Sequence, residues 1–250
     1  MKKLVFILLT IPVIATVSAQ IKLPGGINKV LGKDSSKVSA VLSTDLKKGN
    51  SLSNEEIIKG LKEALTIGTD SSTKKLSRVD GFFTDAAIKI LMPEEAKKAE
   101  KTLRNLGMSS LVDKAILSMN RAAEDAASGV TTIFWDAIKQ MSVNDGISIL
   151  RGNDFAATSF LKLKTSAILT LKMRPVIQAS LDKVNATQYW KDVFTAYNKF
   201  SNKKVNTDLA GYVTGKAMDG IFYEIGLEEQ KIRKDPAAQV TDLLKKVFGK

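Results

Sequence analysis

The sequence contains neither cysteine nor histidine, and these two absences exclude several classes of chemistry. Without cysteine, the chain has no disulfide, no thiolate metal ligand and no thiol nucleophile. Without histidine, it has no imidazole base and no histidine-ligated zinc. We therefore expect no metal site, no cofactor and no standard catalytic set, and the composition favours a protein without enzymatic activity.

The N-terminus has the pattern of an export signal. Residues 1–3 are basic, residues 4–17 are almost wholly apolar, and residues 17–19 place small side chains before Gln20. The apolar run of about 14 residues is shorter than the roughly 20 that a membrane-spanning helix needs, and no cysteine follows it for lipid attachment. We predict a signal peptide over residues 1–19, cleavage near Ala19–Gln20, and a periplasmic or secreted protein that is not a lipoprotein.

The chain of 250 residues is strongly basic, with a formal net charge of +12. Residues 1–19 contain two lysines and no acid, so their removal would leave a charge of +10. In an exported protein this charge indicates anionic lipid head groups or acidic polymers as partners rather than nucleic acid. The lysines are scattered along the chain, so a solvated basic surface explains them equally well.

Apolar residues recur at helical spacing through most of the sequence. Residues 20–51 read as a loosely ordered lead-in, and a capping box of Ser53 and Glu56 opens the first helix. Ser142 and Asp145 cap a later short helix, and the longest helix is predicted over residues 110–141. We predict one all-α domain over residues 52–250, a single multi-helix bundle of about eight helices joined by short loops.

One group of polar side chains on the predicted helix 110–141 stands out as a candidate binding site. Arg121 and Glu124 are three residues apart, so they can form an ion pair. Trp135 belongs to the same helical stripe, rotated away from the alanine-rich core face. The pair either orients neighbouring helices or contacts a ligand.

A second group comprises Lys164 and Arg174, which are predicted to project into an apolar sector of their helix. That sector contains Phe160, Ala167, Ile168 and Leu171. A cation there must be paired or must reach solvent. The candidate partners are Asp136, Asp154 and Asp219. Structural pairing and an anionic-ligand site both fit this pattern.

Three stretches of the sequence resemble a known family. They are residues 119–124 (MNRAAE), residues 149–158 (ILRGNDFAAT) and the tail from Tyr212 through Glu228, Glu229 and residues 235–237 to Gly249. Together they are similar to the domain of unknown function 4197, a family of exported bacterial proteins, over roughly residues 52–249. The family carries no assigned activity, so the resemblance implies an exported helical domain and no catalytic residue.

We interpret the sequence as that of an exported helical protein that binds or scaffolds a partner protein, or holds an amphiphilic ligand between its helices. Two alternatives stay open. The first is a hydrolase of a periplasmic glycan that uses carboxylates alone, which needs two acids a few ångströms apart; Asp136, Asp145 and Asp154 are the first acids to test. The second is peripheral attachment to an anionic membrane surface.

Overall fold

The computed structural model describes residues 53–199 and 202–248. These residues form nine α-helices and two short 3₁₀ helices, with no β-strand among them. In chain order the α-helices are α1 (Asn54–Leu76), α2 (Lys97–Asn105), α3 (Ser109–Ala127), α4 (Thr131–Lys139), α5 (Val143–Arg151), α6 (Ala156–Asp182), α7 (Ala186–Tyr197), α8 (Leu209–Lys234) and α9 (Asp242–Phe248). The 3₁₀ helices are Glu94–Ala96 and Pro236–Ala238. The predicted all-α bundle of about eight helices is confirmed.

The predicted signal peptide (residues 1–19) and lead-in (residues 20–51) lie outside the described residues. Within the ranges 53–199 and 202–248, no helix combines the length and the apolar character that crossing a membrane requires.

Two helices begin at the predicted capping boxes. The Ser53 hydroxyl accepts a hydrogen bond from the Glu56 amide at 3.2 Å, and the Glu56 carboxylate accepts from the Ser53 amide at 2.9 Å. Ser142 and Asp145 repeat this arrangement at the start of α5. These hydrogen bonds favour the charged carboxylates, so the pKa of Glu56 and the pKa of Asp145 both lie below their ordinary values.

The predicted helix over residues 110–141 is wrong in its length, because the chain forms two helices there, α3 and α4. They are separated by residues 128–130, and Ser128 and Gly129 both have poor helix propensity. Since α4 also packs against the core, where it buries Phe134, the sequence shows the same apolar periodicity on both sides of the break. Trp135 therefore belongs to a different helix from Arg121 and Glu124.

The two longest helices, α6 and α8, pack against each other, and both contribute buried side chains to the core. The ring of Phe82 lies against α8 at Gly220, where a Cβ atom would approach the ring to 2.6 Å. Only glycine allows this close approach without displacing the ring. Phe222 of α8 meets Phe134 of α4 edge to face, with 6.0 Å between the ring centroids.

The buried face of α6 differs from the apolar sector predicted for this helix. Its buried side chains recur about every four residues: Ala157, Leu161, Thr165, Leu169, Met173, Ile177 and Leu181. Because a helix has 3.6 residues per turn, each step of four advances about 40° around the axis, so the buried stripe winds around the helix. Leu171, in the predicted sector, is 75% exposed. Lys164 and Arg174 are likewise exposed, so the predicted sector faces solvent and both cations reach it.

Candidate functional site

Three glutamates are buried in the described part of the chain: Glu124, Glu224 and Glu229. A buried carboxylate is costly unless it is paired and hydrogen-bonded. Each of the three has such partners, and among the described residues no buried side-chain nitrogen or oxygen lacks a hydrogen-bond partner. The partners of these three glutamates show whether they belong to a reaction site or stabilise the fold.

Glu124 holds the loop that follows α1. Arg121 donates to Glu124 at 2.6 Å and to Asp80 at 2.7 Å, so the predicted ion pair forms and gains a third member. The other Glu124 oxygen accepts from the backbone amides of Phe82 and Phe83 at 3.1 and 3.3 Å. The hydrogen bonds to Glu124 and Asp80 raise the pKa of Arg121 above its ordinary value. We call these five residues the Glu124 cluster.

Asn120, beside this cluster on α3, holds the segment before α2. Its side-chain oxygen accepts from the Ile90 amide at 2.9 Å, and its side-chain nitrogen donates to the Ile90 carbonyl at 2.8 Å. The same nitrogen donates to the carbonyl of Ile116 at 2.8 Å. Ile90 is buried and lies in no helix, so the amide of Asn120 satisfies backbone groups that would otherwise be unpaired.

Glu229 of α8 caps the N-terminus of α6, where Phe155 provides no capping side chain. The Glu229 carboxylate accepts from the amides of Ala157 and Thr158 at 2.9 and 2.8 Å, and from the Thr158 hydroxyl at 2.8 Å. Arg233 pairs with the same carboxylate at 2.9 Å and donates to the Ile149 carbonyl of α5 at 2.9 Å. These residues, the Glu229 cluster, join α5, α6 and α8.

Glu224 forms the third buried contact, an ion pair with Lys75 at 2.8 Å. Lys75 also reaches Asp85 at 3.3 Å, so it joins α1, α8 and the loop between α1 and α2. Burial works against the charge of Lys75, but the hydrogen bonds to Glu224 and Asp85 raise its pKa above the ordinary value.

The stretches that carry the family resemblance supply much of this buried polar framework. Residues 119–124 contribute Asn120 and the Glu124 cluster, while residues 149–158 and the tail meet in the Glu229 cluster. Their polar side chains bind backbone groups of other segments. The polar side chains of these stretches therefore stabilise the fold.

The predicted acids Asp136, Asp154 and Asp219 each have a lysine partner, and they do not form a group that could hold a metal ion. Asp136 lies 3.9 Å from Lys139, and Asp219 lies 3.8 Å from Lys216. Asp154 pairs with Lys234 of α8, and the hydrogen bond between them lowers the pKa of Asp154. These three acids do not form one site.

The predicted cations have other partners than those expected. Arg174 pairs with Asp208 at 2.8 Å, and Asp208 also caps α8 by accepting from the Gly211 amide. The Lys164 ammonium lies 5.7 Å from the centre of the Phe160 ring. The predicted pairing of Lys164 and Arg174 with Asp136, Asp154 or Asp219 is therefore wrong.

A cavity of about 540 Å³ opens between α2, α3, the C-terminal end of α6, and α7. This volume is in the range of small-molecule sites. Its walls are mainly aliphatic and aromatic side chains, among them Leu103, Leu111, Leu117, Val184, Tyr189, Trp190 and Val193. Val184 is 56% exposed and Tyr189 62% exposed. The cavity thus presents apolar surface that no part of the described chain covers.

Trp190 and Phe194 form the aromatic part of the wall on α7. Their ring centroids are 4.4 Å apart, and the Trp190 indole nitrogen donates to the Asn206 carbonyl at 2.9 Å. Trp190 is only 6% exposed and its indole nitrogen is already bonded, so the ring presents a small apolar surface to the cavity. The aromatic residues of α7 were visible in the sequence, but nothing there connected them to α2 and α3.

Most of the polar side chains at the cavity are engaged elsewhere. Glu100 pairs with Arg104 at 3.0 Å, and Arg121 belongs to the Glu124 cluster. The hydroxyl of Ser118 donates to the Ala115 carbonyl, and that of Ser180 donates to Asp125. Ser180 is thus paired with a carboxylate, but Asp125 does not line the cavity, and Glu100, the acid of the wall, pairs with Arg104.

Lys114 and Lys183 are the remaining charged side chains of the cavity wall. Both residues are exposed, and neither forms an ion pair with any residue that the structure describes. The cavity therefore combines an apolar interior with two available cations. Sequence reasoning missed both residues, because nothing distinguishes them there from the other scattered lysines.

A shallower depression lies at the loop after α1, with Asp80 and Asp85 on its surface beside Lys75 and Arg78. Both of its carboxylates are paired, Asp80 with Arg121 and Asp85 with Lys75. In the ranges that the structure covers, no group of three or more acidic side chains is arranged to hold a metal ion. The depression does not offer the two free acids that glycan hydrolysis needs.

Comparison with known families gives one match. A family described as "Protein of unknown function (DUF4197)" matches residues 51–249, which confirms the resemblance drawn from the sequence. No curated protein and no solved structure matches the chain at a significant level.

Proposed function

Since this chain belongs to the DUF4197 family, whose description states no function, we propose a function from the geometry of the chain itself. The protein is an exported, non-enzymatic binding module that holds an amphiphilic ligand with an anionic head group in the cavity between α3 and α7. The single observation that carries this proposal is an apolar cavity of about 540 Å³ whose wall includes two unpaired lysines.

The shape and lining of the cavity favour a small amphiphile. A protein partner needs a contact surface of roughly 800 Å² on each side, whereas a concave, mostly apolar pocket suits a ligand that is largely enclosed. Burial of an apolar tail against the exposed wall residues Leu111, Tyr189 and Val193 supplies the driving force. An anionic head group then lies within reach of Lys114 and Lys183 at the wall.

The engagement of the cavity's acid and hydroxyl groups supports binding without turnover. Glu100, Ser118 and Ser180 each have a structural partner. Catalysis by general acids, bases or nucleophiles requires such groups to face the ligand. The N-terminal pattern of residues 1–19 supports export.

The test is a titration of the purified protein with sodium dodecanoate, followed by the fluorescence of Trp190. The Trp135→Phe background removes the chain's other tryptophan, which does not line the cavity. We expect a saturable change. Ala115→Phe should abolish it by filling the cavity, whereas Ala87→Phe, which adds the same ring at an exposed loop position, should leave it unchanged.

Charge reversal tests the head-group contact separately. Lys114→Glu/Lys183→Glu should weaken dodecanoate binding roughly tenfold, as expected for two partly solvated ion pairs, and should leave binding of uncharged dodecanol unchanged. Lys59→Glu/Lys191→Glu is the matched control, since both lysines are exposed and lie outside the cavity. The proposal is overturned if dodecanoate does not bind, or if Ala115→Phe binds it as tightly as the parent.

A further inference from the structure

The outer surface of α6 carries an unusual row of exposed apolar residues. Because the buried stripe repeats every four residues, the positions two residues away form a row on the opposite side that winds in the same way, so Leu163 and Leu171 lie about 80° apart around the axis. That row consists of Ser159, Leu163, Ala167, Leu171, Pro175 and Ala179, all exposed. Leu163 is 82% exposed. Ile168 and Val176, on the adjacent row, widen the apolar strip.

Cations flank this strip on both sides. Lys164 and Lys172 lie on one adjacent row, and Lys162 and Arg174 on the other, all four exposed. The only acid of α6 is Asp182, its last residue. Acids of neighbouring elements also reach these rows. Asp208 pairs with Arg174, and Asp145 of α5 lies within electrostatic reach of Lys164. Asp125 of α3 accepts from Ser180, on the row of Lys164 and Lys172. Lys162 and Lys172 keep their charge without an acidic partner in the described chain.

We propose that this face of α6 docks on the surface of an anionic lipid bilayer, with Leu163 and Leu171 entering the interface and the flanking lysines contacting head groups. Over the segment from Leu163 to Leu171, the outer side of α6 combines exposed apolar side chains with flanking cations, as the membrane-facing side of a peripheral helix does. Apolar burial and attraction to anionic lipid then act together.

The charge of the face favours a bilayer over a second copy of the chain. In a two-fold dimer through α6, Lys162, Lys164 and Lys172 of one copy would face the same basic strip of the other. Like charges brought together across an interface oppose association. An anionic lipid surface complements the same charges.

This inference concerns a surface outside the cavity, so the two proposals fail separately. Leu163 and Leu171 do not line the cavity. Leu163→Glu/Leu171→Glu should therefore bind dodecanoate as the parent does, while Ala115→Phe should bind vesicles as the parent does.

The experiment is co-sedimentation of the purified protein with vesicles of phosphatidylglycerol and phosphatidylcholine in equal parts, at low salt. We expect binding that weakens as salt is added and is absent with pure phosphatidylcholine. Leu163→Glu/Leu171→Glu should weaken binding at least tenfold, because two apolar side chains no longer enter the interface. Val79→Glu/Val240→Glu, with the same charges at two exposed apolar positions outside α6, should weaken it much less.

Size-exclusion chromatography and circular dichroism of each variant accompany the measurement. Unchanged helix content shows that the variant is folded. The proposal is overturned if the protein does not sediment with anionic vesicles, or if Leu163→Glu/Leu171→Glu sediments as well as Val79→Glu/Val240→Glu. It is also overturned if the parent is a dimer that Leu163→Glu/Leu171→Glu dissociates, since a second copy then covers the face.

Discussion

The buried polar clusters and the cavity use the same kinds of residue in opposite ways. In the Glu124 and Glu229 clusters, each carboxylate oxygen meets backbone amides or a guanidinium, and the partners lie on distant segments. At the cavity, the apolar walls lack a partner in the described chain, and Lys114 and Lys183 have no counter-ion there.

This difference separates residues that hold the fold from residues that are available to a ligand. A buried carboxylate whose hydrogen bonds are filled by backbone amides and protein side chains cannot serve a substrate without opening the structure. Substituting exposed apolar residues of the cavity wall, or its two unpaired lysines, should change the stability of the fold little. Substitutions in the clusters should therefore affect stability, and substitutions at the cavity should affect binding.

The largest effect is expected for Glu229→Gln. One carboxylate oxygen becomes an NH₂ group that faces amide donors, and Arg233, which is 14% exposed, loses its counter-ion. Breaking a buried pair in this way typically costs about 3–5 kcal/mol, measured here as the free energy of unfolding in urea. The neighbouring control Glu228→Gln removes only the ion pair to Lys231 and should cost less than about 1 kcal/mol. Equal losses for the two variants would contradict the structural role of Glu229.

A smaller loss is expected for Asn120→Leu. The substitution nearly preserves volume but leaves the amide and carbonyl of Ile90 without their partner. Unsatisfied buried groups cost about 1–3 kcal/mol each, so the midpoint of chemical denaturation should fall clearly. Asn144→Leu, at an exposed position, should change stability by no more than about 0.5 kcal/mol. A neutral Asn120→Leu would show that water satisfies Ile90 equally well.

The hydroxyl of Tyr212 makes the stability of the fold depend on pH. Its hydroxyl donates to the Leu91 carbonyl at 2.8 Å, and burial, followed by the charges of Glu95 and Glu94, raises its pKa to about 12 from an ordinary value of 10.0. A raised pKa means that the folded state holds the phenolic proton more tightly than the unfolded state does. This contribution to stability is intact below pH 10 and is lost as the pH rises towards 12.

The measurement is the free energy of unfolding across this alkaline range for the parent and for Tyr212→Phe. The parent should lose more stability than the variant, because only the parent carries the Tyr212 proton. Many lysines titrate in the same range and contribute equally to both proteins, so the difference isolates Tyr212. Parallel curves would contradict the assignment.

The smallest effect on stability is expected at the cavity itself. Tyr189 is largely exposed on its wall, so Tyr189→Ser should change the free energy of unfolding by no more than about 0.5 kcal/mol. The same change removes apolar contact area from the cavity and should weaken dodecanoate binding measurably. If Tyr189→Ser lowers stability as much as Asn120→Leu, the cavity wall is part of the framework of the fold. If it binds dodecanoate as tightly as the parent, Tyr189 does not contact the ligand. Either result would contradict the proposed difference between the cavity and the buried clusters.

Local features of the fold were predictable from the sequence because their causes are local. The capping boxes at Ser53 and Ser142 depend on residues three positions apart, and the Arg121–Glu124 pair lies within one helical turn. The break between α3 and α4 was missed because apolar periodicity continues across Gly129. Periodicity gives the direction of side chains, and it does not show whether the backbone stays helical.

The cavity was not predictable from the sequence, because the residues that form it are distant from one another in the chain. The cavity forms where α2, α3 and α7 meet, and Lys114 and Lys183 become distinctive only beside its apolar walls. The cap that Glu229 provides likewise joins residues more than seventy positions apart in the chain. On α6, one fixed sector was expected, whereas packing against several helices gave a winding buried stripe.

The most direct test of the binding proposal is a crystal structure of the protein grown with dodecanoate that carries bromine at its terminal carbon. The account predicts an anomalous bromine signal inside the cavity beside Trp190, with the carboxylate near Lys114 and Lys183. A bromine signal only along the outer face of α6, or none at all, would contradict it.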